Sequence, residues 1–182
     1  MIVAATELEL ALVDDTPARR IVCGVGPVEA ALATAGAIAE DRPEAILHFG
    51  IAGAQTLPHA SIVLGSEAVY CDVIDPLARI PRVERVQPDP RLLEHARNAL
   101  PAATVLPIGT SARVGGGLGY EVEAMEGFGV LRAASVAGVP AVELRAVSNP
   151  VAEGDRDRWR IDDALDALRT ALPPLLEELA RA

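Results

Sequence analysis

Short apolar runs rich in β-branched residues alternate along this chain with segments of helical periodicity, and that alternation admits few folds other than an α/β one. Met1 to Thr6 and Arg20 to Val25 read as strands. Gly24-Val25-Gly26-Pro27 then turns the chain, with Pro27 placed to start a helix from Val28 to about Asp41. Ala45 to Phe49 is a buried strand that ends in Gly50-Ile51-Ala52-Gly53. Ile62 to Asp72 is a longer strand in which Gly65 marks a bulge or bend. The Pro- and Arg-rich stretch Ile74 to Pro90 reads as loop, Arg91 to Leu100 as helix and Thr104 to Ile108 as extended chain. Gly109 to Gly119, with Gly115-Gly116-Gly117, is expected to be the most flexible loop. A helix from about Met125 stops at Gly138, and Ala141 to Val147 is another buried strand. Asn149 to Arg160 reads as a charged loop, and Pro173-Pro174 is expected to interrupt the last helix. With no internal repeat and no linker, the 182 residues are expected to form one domain.

Charge excludes some function classes. The chain carries 16 arginines, no lysine and a net charge of −10, with two Phe, two Tyr and one Trp. Nucleic-acid binders need a basic face and stacking platforms, so no nucleic-acid partner is expected. No apolar run reaches the roughly 18 residues of a membrane span, and the start lacks a secretory pattern, so a cytoplasmic protein without a membrane partner is expected. Cys23 and Cys71 lie in apolar strand contexts and read as small buried hydrophobes rather than a disulfide. His48, His59 and His95 are scattered without ligand spacing, so no metal is expected.

The chemistry-bearing residues cluster in a few places. Glu126-Gly127-Phe128-Gly129 opens a helix with a carboxylate, and Arg145 and Asn149 lie near the far end of the following strand. Open α/β sheets bind small molecules beyond the carboxyl ends of their strands, so these three groups converge where a ligand is expected. A carboxylate can chelate a ribose diol, an arginine can orient water, and an asparagine amide can both donate to and accept from a purine. Glu7 and Glu9 leave the first strand toward the same end, either as solvated acids or with one of them as a general base. Gly50-Ile51-Ala52-Gly53 is either a crossover turn or a place where a ligand lies against the backbone. Gly24-Val25-Gly26 lacks the third glycine of a dinucleotide fingerprint, with Glu29 in its place, and reads as a tight turn.

Five blocks in order resemble the nucleoside phosphorylase/nucleosidase superfamily over nearly the whole chain. They are Ala5-Thr6-Glu7-Leu8-Glu9, Gly24 to Ala31, Phe49 to Gly53, Glu123 to Gly127 and Arg145 to Asn149. The likeness is to its hydrolytic branch, which includes methylthioadenosine/S-adenosylhomocysteine nucleosidase and futalosine hydrolase. Met125 to Gly129 and the tail Asp155 to Ile161 pull it toward the futalosine type. The resemblance implies a three-layer α/β sandwich around a central mixed sheet, homo-oligomeric, acting on a small nucleoside without a cofactor. It implies Glu9 as the carboxylate that activates water, Arg145 as its helper and Glu126 as the holder of the ribose hydroxyls, with Met125 against the sugar. Asn149 falls where adenine-specific members place an aspartate, and its amide suits a 6-oxopurine such as the hypoxanthine of futalosine. Ile51, Gly53, Phe128, Trp159 and Arg158 complete the expected substrate-binding set.

Phosphorolysis is disfavoured, because a phosphate needs a cationic cradle and this entrance offers Glu7 and Glu9. The implied activity is release of hypoxanthine from futalosine, in menaquinone synthesis. An adenine-specific nucleosidase and a catalytically silent nucleoside-binding protein remain as alternatives. The glycine loop keeps the second alive, because it argues against the helix that the family places beside the base pocket.

Overall fold

A computed structural model describes residues 1–74, 77 and 81–182; the part of the expected loop at Asp75, Pro76 and residues 78–80 lies outside them. Among the described residues, eight strands form one mixed sheet: β1 (Ile2–Ala4), β2 (Arg20–Val22), β3 (Ile46–Ala54), β4 (Ile62–Tyr70), β5 (Arg85–Val86), β6 (Thr104–Thr110), β7 (Val122–Ala124) and β8 (Ala141–Pro150). Their order is β2-β1-β3-β7-β6-β4-β5, while β8 pairs with both β3 and β4. The pairings β3–β8–β4–β6–β7–β3 therefore close into a ring, and Ala52, Val63, Ile108, Val122 and Val147 form an apolar cluster of their own along it.

Helices α2 (Pro27–Glu40) and α4 (Gly127–Ala137) pack together and share a core with Val3, Ile46 and Ala141 of the sheet. Helices α3 (Pro90–Ala99) and α5 (Ile161–Leu179) bring Leu92, Leu168 and Leu172 against Leu47, Phe49 and Leu144 in the other large core. The result is the expected three-layer α/β sandwich.

Several boundaries differ from the sequence reading for physical reasons. The first strand stops at Ala4, because Thr6 and Glu9 form a reciprocal capping box that opens the short helix α1 (Glu7–Leu10). Glu7 and Glu9 thus sit on a helical turn rather than on a strand end. Gly50 to Gly53 is not a turn: β3 runs through it, paired in parallel with β8. The same ladder carries β8 on to Pro150, placing Asn149 on a strand rather than in a loop. Pro173 and Pro174 do not break α5. Both are exposed, while Ala171, Leu172 and Leu175 keep the apolar face continuous, so burial outweighs the lost backbone bonds. The bulge expected at Gly65 is present as a register shift against β6 between Gly65 and Glu67.

Glycines mark several close approaches. A Cβ on Gly50 would lie 2.6 Å from Nη1 of Arg145 and 2.7 Å from Oε1 of Glu9. On Gly127 it would meet Glu143 at 2.2 Å, and on Gly129 it would meet the carbonyl oxygen of Pro27 at 2.4 Å. The Gly-Phe-Gly sequence that opens α4 is thus explained by packing, with Phe128 between the glycines stacked on Tyr70 at 5.0 Å between ring centroids. Alanine is the better helix former by about 1 kcal/mol, yet Gly129→Ala should destabilise the protein by about 1–3 kcal/mol, because the backbone of α2 must move. Gly36→Ala, where a Cβ meets nothing within 4 Å, should instead stabilise by about 0.5–1 kcal/mol. Urea unfolding of the two variants checks the opposite signs.

Candidate active site

A cavity of about 230 Å³ opens at the carboxyl ends of β3 and β8, lined among others by Thr6, Glu9, Ile51, Met125, Glu126, Asn149 and Trp159. The strongest pointer to its chemistry is charge burial. Among the described residues, the buried charged side chains are Glu9, Glu123, Glu126, Glu143 and Arg145, and Glu9, Glu123 and Glu126 line this cavity. Taking a charge out of water is costly unless it is paired, so such a concentration needs compensating contacts.

Arg145 lies beneath the cavity and is 1% exposed. Its Nε donates to Glu143 at 2.8 Å, its Nη1 to the Ile51 carbonyl at 3.3 Å, and its Nη2 meets Glu126 at 3.4 Å. Burial works against its charge, but Glu143 and Glu126 outweigh that and hold its pKa above the ordinary arginine value. Nη2 also lies 2.5 Å from Nε2 of His48, whose Nδ1 lies 3.0 Å from the Val3 carbonyl. An arginine can only donate, so Nε2 is the acceptor and Nδ1 carries the proton. Burial first, and then Arg145, push the His48 pKa well below its usual value, which keeps the ring neutral.

Glu9 stands at the third position of its helical turn. One oxygen accepts from the Thr6 amide at 3.1 Å and the Thr6 hydroxyl at 2.9 Å, the other from the Ile51 amide at 3.0 Å. Glu126 flanks the start of α4 without capping it. The hydroxyl of Thr110 accepts from the Phe128 amide at 3.0 Å instead, which frees the Glu126 carboxylate to take the Gly26 amide at 3.1 Å. Burial raises the Glu126 pKa above the usual carboxylate range, against the downward pull of Arg145 and the Gly26 amide.

A second bulge shapes the other end. The β3–β8 register shifts at Ala52/Gly53, so that Ala52 faces Val147 and Gly53 faces Asn149. Consecutive strand residues normally alternate faces; the bulge lets Ser148 and Asn149 both line the cavity. The Ser148 hydroxyl donates to Oδ1 of Asn149 at 2.8 Å, and Nδ2 donates to the Pro150 carbonyl at 3.0 Å.

Most of the expected residues are thus brought together: Glu9, Glu126, Met125, Ile51, Gly53, Asn149 and Trp159 line the cavity, with Arg145 directly below. Phe128 does not line it, because its ring is stacked on Tyr70. Arg158 does not either; it is exposed and pairs with Glu153 and Asp155, while its neighbour Arg156 lines the wall. Glu7 is exposed and lies outside. The cysteines are free thiols, and burial, then Glu126, pushes that of Cys23 up to about 12.

Sequence reasoning assigned no role to His48, Glu123 and Glu143, although Glu143 stands two residues before Arg145 on one strand, a spacing that puts both on the same face. The capping box Thr6-Glu7-Leu8-Glu9 did carry one and would have placed Glu9 on a helical turn.

Comparison with known proteins bears on the family and the fold. Residues 4–115 match the family model of the Phosphorylase superfamily. The chain belongs to that superfamily. It is similar to a futalosine hydrolase of Streptomyces coelicolor, with 39% identity over 186 aligned positions, covering 86% of this chain and 79% of that protein. The solved structure of futalosine hydrolase of Helicobacter pylori superposes with a TM-score of 0.86 at 16% identity, covering 97% of this chain and 96% of that one. An S-adenosylhomocysteine nucleosidase from Streptococcus pyogenes gives 0.84 at 23%, with 98% and 95% covered. At those identities the two structures establish the superfamily's fold. Among the described residues, no helix is long and apolar enough to cross a membrane.

The neutral histidine makes stability pH-dependent. An unfolded chain takes up a proton at His48 near its usual pKa of 6.5, and the folded chain does not. That contribution is present above about pH 6.5 and is lost as pH falls, by at most about 1.4 kcal/mol per pH unit. Urea unfolding between about pH 5 and 6.5 should show this slope, and His48→Gln should flatten it.

Proposed function

We propose that this protein is an N-ribosyl hydrolase that cleaves futalosine and releases hypoxanthine, in the service of menaquinone synthesis. The observation that carries this reading is the excess, among the described residues, of buried carboxylates over the single buried arginine around one cavity. When a purine leaves a ribose, positive charge builds on the sugar, and an acidic, enclosed wall favours that state over the neutral nucleoside. The same wall opposes phosphate, so water is the nucleophile. The likeness to the Streptomyces coelicolor protein supports futalosine as the substrate.

In this mechanism Glu126 binds the ribose diol, with Met125 against the sugar. One Nη1 proton of Arg145 remains uncommitted, and it borders the Gly50 backbone together with Oε1 of Glu9. A water held between them, on the sugar face opposite the base, attacks C1′. Its proton passes to Glu9, the C1′–N9 bond breaks, and the electron pair leaves with the base. Asn149 stabilises the departing hypoxanthine through its amide. Incubation with futalosine, inosine and methylthioadenosine, with release of free base as the readout, tests the assignment; no hypoxanthine from futalosine removes it.

Two outcomes follow. Glu9→Gln keeps the shape of the side chain but not its basicity, so turnover should fall about a hundredfold or more with binding largely intact, as steady-state kinetics would report. Trp159 lines the wall and Arg156 lies over its ring at 5.4 Å, a platform suited to the carboxylate-bearing ring at the 5′ end of futalosine. Replacing either by Ala should raise KM for futalosine about tenfold while leaving inosine unaffected.

A further inference from the structure

The glycine loop is anchored on both sides of Arg113. Before it, Asp72 accepts from the Ser111 hydroxyl at 2.6 Å and from the Ala112 amide at 2.8 Å. After it, Glu123 accepts from the Gly115 amide at 2.6 Å and from the Gly117 amide at 2.9 Å. Four hydrogen bonds to two carboxylates hold a segment without regular secondary structure, and Arg113, which lines the cavity, lies between them.

The anchor also locates Arg113 within the site. Glu123 stands opposite Gly53 in the β3–β7 pairing, and a Cβ on Gly53 would lie 3.1 Å from Nδ2 of Asn149 and 3.5 Å from Cγ of Glu123. A Cβ on Gly115 would lie 3.7 Å from the carbonyl oxygen of Val151, just beyond Asn149. The loop therefore attaches at the Asn149 corner, away from Glu9 and Arg145. Among the described residues the Arg113 guanidinium has no hydrogen-bond or ion-pair partner, although the protein carries a net charge of −10.

Asn149 by itself does not tell one purine from another. Its Nδ2 has one N–H left after the bond to Pro150, and N7 accepts from that proton in both hypoxanthine and adenine. The two bases differ at position 6, a carbonyl acceptor in one and an amino donor in the other. An arginine only donates, so it satisfies the carbonyl and leaves the amino group unpaired.

Resting on the futalosine reading of the site, we propose that Arg113 is its base-selecting residue, donating to O6 of a 6-oxopurine while Asn149 donates to N7. The positive charge also offsets the negative charge that the departing base gains as the glycosidic bond breaks.

Calorimetric binding of free hypoxanthine and adenine to the wild type, Arg113→Ala and Arg113→Lys tests this without needing turnover. The wild type should favour hypoxanthine. Arg113→Ala should lose about 10–100-fold in hypoxanthine affinity with adenine changed less than about threefold, and Arg113→Lys should fall between. No preference in the wild type, or an equal or absent loss on both bases in Arg113→Ala, overturns the proposal. A wild type that selects hypoxanthine through Arg113 yet leaves futalosine intact removes the hydrolase reading and keeps this one. Cleavage of futalosine with unchanged base selectivity in Arg113→Ala does the reverse.

Discussion

The guanidinium of Arg145 lies in the interior, where an unpaired charge is untenable, and much of the surrounding architecture serves to pair it. Glu143 from the same strand takes Nε, Glu126 from the start of α4 takes Nη2, and the Ile51 carbonyl of β3 takes Nη1. His48, kept neutral, supplies an acceptor where a protonated ring would repel. One side chain thus ties β3, β8 and α4 into a fixed arrangement. Removing a partner from such a group costs about 3–5 kcal/mol, so the cluster rigidifies the site as well as charging it.

That cluster also explains residues that make no contact with a ligand. Gly50 has no side chain because Arg145 and Glu9 together occupy the space its Cβ would take, and Gly127 because Glu143 occupies the space. Gly129 continues the theme one step outward by admitting the backbone of α2, which in turn brings the Gly26 amide to Glu126. Close packing of two helices and placement of a cavity-lining carboxylate are therefore the same structural event. Thr110 completes it by taking the helix amide that Glu126 would otherwise cap.

The two ends of the cavity use opposite electrostatics. Near Glu9 and Glu126 the wall is acidic, which on the proposed mechanism favours a sugar that becomes cationic. Near Asn149, where Glu123 is committed to the Gly115 and Gly117 amides, the remaining Asn149 amide proton and Arg113 on its anchored loop are the groups that, on the proposed mechanism, face a base that becomes anionic. On that mechanism a glycosidic bond held between the two ends would be polarised in the direction of its cleavage. The glycine loop matters here because it is held by Asp72 and Glu123 rather than left slack.

The alternation of apolar runs and helical periodicity determined the α/β class, most of the strands and the helices that Gly138 and Pro27 delimit, because these rest on local hydrophobic pattern and backbone preference. The convergence of Glu126, Arg145 and Asn149 was also legible, because the pattern placed the helix and the strand that carry them; Glu9 was told from Glu7 by the family resemblance alone. Where elements stop was less so. Pro173 and Pro174 read as a break, yet α5 continues because its buried face is uninterrupted, and β3 continues through two glycines because β8 pairs with it. Only the tertiary structure brought in His48, whose acceptor role depends on Arg145 from another strand, and Glu123, whose partners lie across a loop; the pairing of Glu143 with Arg145 follows the two-residue period of their common strand. Hydrogen bonds between residues far apart in sequence leave no periodic trace. The sequence carries the hydrophobic order; the pairing of buried charges is settled only when the sheet closes around them.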